Sequence, residues 1–248
     1  MGREDSINEQ ILNNDKFTGL IPKSVKYIWN RIKQINEKIV IKVSFLEIYN
    51  EQINDLLCPK STNLQIRWDQ RQGFFVENLG VFDCRKPEEV VEAILEGTKN
   101  RKIGSHELNK DSSRSHSIMT VYIISELDGL KKYGKISFVD LAGSERLKES
   151  KSQGSMIKET GNINKSLFTL GKVISSLTDK KLNKQYIPYR DSKLTMLLMD
   201  SIGGTSKTLM IACISPSIVY AEETMSTLNY ASRAMNIKNK PVLQVYNV

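Results

Sequence analysis

Apolar residues recur along this chain with two alternating periods. From Pro22, which suits the first turn of a helix, Val25, Ile28, Trp29, Ile32 and Ile35 fall at helical spacing and predict a core-facing helix. Residues 39–49 are rich in β-branched and aromatic side chains and predict a strand, while residues 55–63, containing Pro59, predict a turn-bearing connection. Helical spacing returns over residues 87–99, with Pro87 near the first turn and Val90, Val91, Ile94 and Leu95 on the buried side. Residues 117–127 and 135–141 read as two strands about a turn at Asp128-Gly129, residues 208–215 as a further apolar strand, and residues 222–237 as a closing helix. No internal repeat or low-complexity block interrupts this alternation. It predicts an α/β fold, a central mixed β-sheet with helices on both faces.

Residues 158–177 carry the most regular pattern. At about 100° per residue, Ile163, Leu167, Leu170, Ile174 and Leu177 form one narrow stripe, and Lys158, Lys165 and Lys172 fall on the opposite side. The helix so predicted has an apolar floor and a lysine ridge, which serves either as a solvated face or as a contact for an acidic partner. Gly161 weakens a helix by roughly 1 kcal/mol, so its regular part is expected from near Asn162. Further basic residues follow: Lys180, Lys181 and Lys184 lie in a polar loop, and Arg190 and Lys193 open the next helix around Asp191. An ion pair with Asp191 is a competing role for Arg190.

Composition narrows the setting. A chain of 248 residues with 40% hydrophobic content can bury a substantial core within one large domain. Cys58, Cys84 and Cys213 are an odd, widely spaced set that argues against a disulfide framework or zinc site and suits a reducing compartment. No apolar run approaches the roughly 20 residues of a membrane span. Residues 1–14 are polar, without the apolar core of a signal peptide. A cytoplasmic setting is expected, with no membrane insertion. The formal net charge of +8 suits nucleic acid, a membrane surface, an acidic protein polymer or merely a solvated basic surface, and charge alone does not choose.

The chemistry is concentrated in two segments. Asp140-Leu141-Ala142-Gly143-Ser144-Glu145-Arg146 follows the apolar run Ile136-Ser137-Phe138-Val139, and Asn109-Lys110-Asp111-Ser112-Ser113-Arg114-Ser115-His116 lies upstream. A strand ending in Asp and then Gly suits a site where a carboxylate meets a hydrated metal and a bare backbone N–H approaches a phosphate. The serine-rich loop offers hydroxyls, and Glu145 is a charge-assisted partner for Arg114. These segments resemble the two nucleotide switches of kinesin motor domains, which read NxxSSRSH and DLAGSE. Residues 44–57, 162–167, 187–195 and 230–234 also resemble kinesin segments, in kinesin order and over nearly the whole chain.

The resemblance implies roles. Ser113 would hold Mg²⁺ and Asp140 would hold it through water; Ser112 would touch the γ-phosphate of ATP or the attacking water; Asn109 belongs to the same nucleotide loop. The Gly143 amide would sense the γ-phosphate, and Arg114 and Glu145 would close over the attacking water. Lys158, Lys165, Lys172, Lys180, Lys181, Arg190 and Lys193 would face the acidic surface of tubulin in a microtubule, which places the protein on the cytoskeleton. His116 belongs to the motif as a support of the loop, and His106 receives no role. Residues 238–248 resemble the start of a neck linker after a motor domain at 1–237, with any dimerisation resting on a stalk outside this chain.

One expected part is missing from the sequence. No G-x-x-x-x-G-K-[ST] phosphate loop occurs, and Gly203-Gly204-Thr205-Ser206-Lys207-Thr208 reads as a turn instead. The resemblance therefore implies a motor domain that begins just after its phosphate loop. These residues alone are then expected to lack microtubule-stimulated ATPase activity and, because the resemblance implies that the strand at residues 208–215 lacks both its neighbours, to be poorly soluble or only partly folded. A nucleotide-independent microtubule-binding module is the alternative. A basic nucleic-acid-binding protein is weaker, since no aromatic-interleaved basic patch or reader motif is present.

Overall fold

The computed structural model describes residues 19–35, 37–70, 72–107, 114–127, 130–144, 155–179 and 186–247. In chain order the elements are α1 (Leu20–Ile32), β1 (Lys38–Tyr49), β2 (Gln52–Asp55), β3 (Ile66–Asp69), β4 (Gly73–Val76), β5 (Phe82–Cys84), α2 (Pro87–Glu107), β6 (His116–Leu127), β7 (Leu130–Asp140), α3 (Ser155–Thr178), α4 (Lys193–Leu197), α5 (Ala221–Ala234) and β8 (Gln244–Asn247). The main sheet has the order β2-β1-β6-β7-β8, with β5 on the outer side of β1, and β3 and β4 form a separate hairpin. Every pairing among the described strands is antiparallel.

Side-chain alternation along β1 divides the core into two layers. Ile41, Val43 and Phe45 join Met119 and Val121 of β6 beneath α1 and α2, where Val25, Ile28 and Val90 are buried. Leu46 and Ile48 turn the other way with Ile118, against Leu170 and Ile174 of α3 and Leu194 of α4. Helices thus cover both faces of the sheet. Gly97 sets the approach of α2 to β1, since a Cβ there would stand 2.1 Å from the Phe45 ring. Beyond β2, the buried Asp55 carboxylate accepts from the amides of Leu57, Cys58 and Gly80 at 2.8, 3.0 and 2.7 Å and closes the loop expected at 55–63.

Several boundaries move for local reasons. α1 stops at Ile32 because Gln34 and Ile35 donate to the carbonyls of Arg31 and Ile32, tightening its last turn and leaving Ile35 exposed beyond it. α5 closes in the same way at Ala234, with Asn236 and Ile237 donating to Arg233 and Ala234. α2 continues past residue 99 to Glu107. β7 begins at Leu130 rather than 135, because pairing with β6 runs without a break from Ser117↔Asp140 to Leu127↔Leu130 and carries the polar Lys131 and Lys132 with it. The expected turn at Asp128-Gly129 lies outside the described residues.

The strand expected at residues 208–215 does not form. Leu209, Ile211 and Ile214 are 82, 65 and 55% exposed, and no described strand lies beside them. β propensity without a neighbour leaves the backbone no ladder to join. Gly203 at φ +83° belongs to the turn expected at residues 203–208, and the amides of Lys240 and Val242 donate to Gly204 and Thr205 there.

Candidate functional site: the switch strands and the helix behind them

β6 and β7 deliver both switch segments to one end of the sheet. Asp140 is the last residue of β7 and pairs with Ser117, one residue after His116 at the start of β6. Arg101 of α2 reaches into this junction, 8% exposed. Its Nη1 donates to Asp140 Oδ2 at 3.0 Å and to Ser117 Oγ at 3.3 Å, and its Nη2 donates to the Ser115 carbonyl at 2.9 Å. Nε stands 3.6 Å from Glu47 Oε1 of β1. A guanidinium held in this forked way fixes the direction of the Asp140 carboxylate, half of whose side chain remains exposed. The partly open carboxylate and the half-buried Gly143 fit the approach of a hydrated cation and a phosphate.

His116 makes the second connection. The amide of Ala142 donates to Nδ1 at 2.8 Å, and Nε2 lies 2.7 Å from Ser166 Oγ of α3. Nδ1 is therefore the acceptor, and Nε2 carries the hydrogen. Burial pushes the His116 pKa down to about 4, with Arg101 adding to the shift and Asp140 opposing it. Unfolded imidazole binds its proton below about pH 6.5, so stability is full above that pH and falls between 6.5 and 4. Between pH 7 and pH 5 the wild-type chain is expected to lose about 2 kcal/mol more than His116→Gln in urea unfolding. Parallel loss in both chains would show that another group supplies the slope.

A family model of the kinesin motor domain matches residues 6–237. The chain belongs to the kinesin motor domain family. It is 46% identical to the kinesin-like protein KIN-12E of Oryza sativa subsp. japonica over 96% of this chain and 13% of that protein. With the chromosome-associated kinesin KIF4 of Gallus gallus it shares 43% identity over 94% of this chain and 20% of that protein. A solved structure described as that of a fast kinesin superposes with a TM-score of 0.88 at 38% identity, over 95% of this chain and 67% of that one. The chain therefore spans only a small part of the length of the curated relatives it matches.

In this kinesin motor domain the sequence-predicted site residues are distributed unevenly. Asp140 and Gly143 stand at the end of β7, and Arg114 lies half-buried just before β6. Asn109, Ser112, Ser113 and Glu145 lie outside the described residues, as do Lys180 and Lys181. α3 starts at Ser155 and runs through Gly161, earlier than expected, and the side chain of Lys158 is outside the description. Lys165 and Lys172 are exposed on its outer face, and Lys172 Nζ sits 4.6 Å from the centroid of Phe168, itself 64% exposed.

The inner face of α3 is Ser166, Thr169, Leu170, Val173 and Ile174. It is rotated from the expected stripe, since Leu167 and Leu177 are only half-buried. Arg190, in a 3-10 turn at Tyr189–Asp191, is exposed with its guanidinium 5.9 Å from the Phe74 centroid. Lys193 begins α4 instead, its amide donating to Glu51 Oε2 at 2.9 Å and its Nζ to the Leu64 carbonyl at 3.5 Å. Burial lowers its pKa, against the opposing charge of Glu51. Its local role is to seat α4 on the β1–β2 turn.

Sequence reasoning missed Arg101 and Glu47 and gave His116 only a supporting part. A signal existed for His116, whose place inside the switch motif puts it beside the nucleotide loop. Nothing in the sequence pairs residue 101 with residues 47, 115 and 140.

Proposed function

We propose that this chain is the core of a microtubule motor that, together with a phosphate loop these residues lack, couples ATP binding and hydrolysis to movement along microtubules in the cytoplasm. One observation carries the reading. α3 sets Ser166 against His116 of β6 and shares a buried cluster with Ile118 and Leu141, while Lys165, Phe168 and Lys172 turn outward, so one helix faces both the switch segments and the surface. The basic excess of +8 suits an acidic polymer as partner.

Mg·ATP supplies the phosphoryl group. Asp140 would orient the metal's water, with Arg101 fixing the direction of its carboxylate, and Ser113 would be a direct metal ligand. Ser112 and the Gly143 amide would hold the γ-phosphate end. Arg114 and Glu145 would pair to order the attacking water, since positioning and charge stabilisation are the main contributions a protein makes to phosphoryl transfer. Residues 238–248 would act as the start of a neck linker.

The test is microtubule cosedimentation. Lys165→Glu with Lys172→Glu is expected to weaken binding about tenfold at low ionic strength and much less at high salt, because exposed charges act over about 10 Å at 0.1 M. Unchanged binding by the folded double variant would make these lysines a solvated face. No binding by the wild-type chain would sink the microtubule reading.

A further inference from the structure

One contact between the switch end of the sheet and α3 is neither apolar nor ionic but a directional hydrogen bond. His116, Ala142 and Ser166 are 3, 5 and 3% exposed, and they come from the start of β6, the segment after β7 and the inner face of α3. His116 is anchored by its own backbone, which pairs with Ile48 at the end of the β1–β6 ladder. Its ring takes the Ala142 amide on one nitrogen and gives a hydrogen to Ser166 on the other. Ala142 directly precedes Gly143, and Ser166 directly follows Lys165.

We propose that His116 is a positioning residue that couples the backbone of the 140–143 segment to α3, so that a microtubule seated on the outer face of α3 changes the freedom of the Ala142 amide through Ser166. The proposal rests on the microtubule reading above. A neutral imidazole suits the task because its two nitrogens are committed in opposite senses and its ring is rigid. Moving Ser166 re-aims Nδ1, and a hydrogen bond weakens steeply once it bends. Leu170 and Ile174, packed on Ile118 and Leu46, hold the same helix to the sheet without directional preference and transmit no such aim. The link is local and physical: beside the apolar packing of Leu141 on the cluster of Leu170 and Ile174, the ring supplies a directional contact between the segment that would meet phosphate and the helix that would meet tubulin.

The experiment is amide hydrogen exchange at Ala142, with and without microtubules, in the wild-type chain, Ser166→Ala and His116→Asn. Asn can still accept from Ala142 but is too short to reach Ser166, so the two variants cut the same link at different ends. In the wild-type chain, microtubules are expected to slow exchange at Ala142 about tenfold. In both variants the slowing should fall below about twofold, while cosedimentation stays within about threefold because Lys165 and Lys172 are untouched. Should one variant fail to fold, the other carries the comparison. Slowing in either folded variant equal to that of wild type overturns the coupling, and so does a wild-type chain that binds microtubules with no change at Ala142. If the wild-type chain does not bind microtubules, the motor reading fails separately. Exchange at Ala142 in the unbound chains then still tests the link, with about fivefold faster exchange expected in Ser166→Ala and equal rates overturning it.

Discussion

Amides across residues 208–215 should exchange about a thousandfold faster than those in the middle of β1 and β6. The two regions have similar apolar content and opposite surroundings. Val43, Phe45 and Val121 are fully buried, and their strands bond to neighbours on both sides. Leu209, Ile211 and Ile214 stand mostly exposed without a ladder. A run of unpaired backbone with apolar side chains is also a template for association. The chain should therefore bind a hydrophobic dye in its folded state and lose that binding when Ile211 and Ile214 are changed to Thr. Protection across 208–215 equal to that of β6 would show that the segment has found a partner strand, and would remove the reason to expect poor solubility.

Removing the Arg101 side chain should destabilise the fold about as much as truncating a fully buried core residue. Arg101→Ala leaves Glu47, 14% exposed, without the cation that faces it, and strips the Ser115 carbonyl and Ser117 hydroxyl of a donor. Breaking a buried ionic cluster from one side costs about 3–5 kcal/mol. Arg101→Lys should recover little, since one ammonium cannot serve Asp140, Ser115 and Glu47 from three directions. Combining Arg101→Leu with Glu47→Leu should recover more, because the uncompensated charge is gone. Denaturant unfolding measures all of these. A loss below about 1 kcal/mol for Arg101→Ala would place the cluster in effective contact with solvent.

What the sequence revealed follows from the range of the forces involved. β1 was legible because its alternating apolar residues serve two cores at once, and α1 because Val25 and Ile28 repeat at helical spacing. The first half of β7 was hidden by Lys131, Lys132 and Gly134, which are strand residues only because β6 lies opposite. The inner face of α3 was misaligned because Ser166 and Thr169 are buried polar residues, and a hydrophobic stripe cannot include them. The switch motifs located Asp140 and Gly143 through family likeness, whereas Arg101 joins residues far apart in the chain. No local period encodes such a meeting.

The pairing of β8 with β7 gives the C-terminal end a mechanical direction. Gln244 lies opposite Tyr133 and Asn247 opposite Leu130, so the chain leaves the ladder at the end of β7 remote from Asp140. At about 3.4 Å per residue, that exit is on the order of 30 Å from the switch end. A pull that continues along β8 loads its bonds to β7 together, in shear. A pull turned sideways, away from the sheet, opens them one after another from Asn247 inward. The same short ladder is thus strong along one axis and weak across it, and the protein should resist force according to the direction from which it comes.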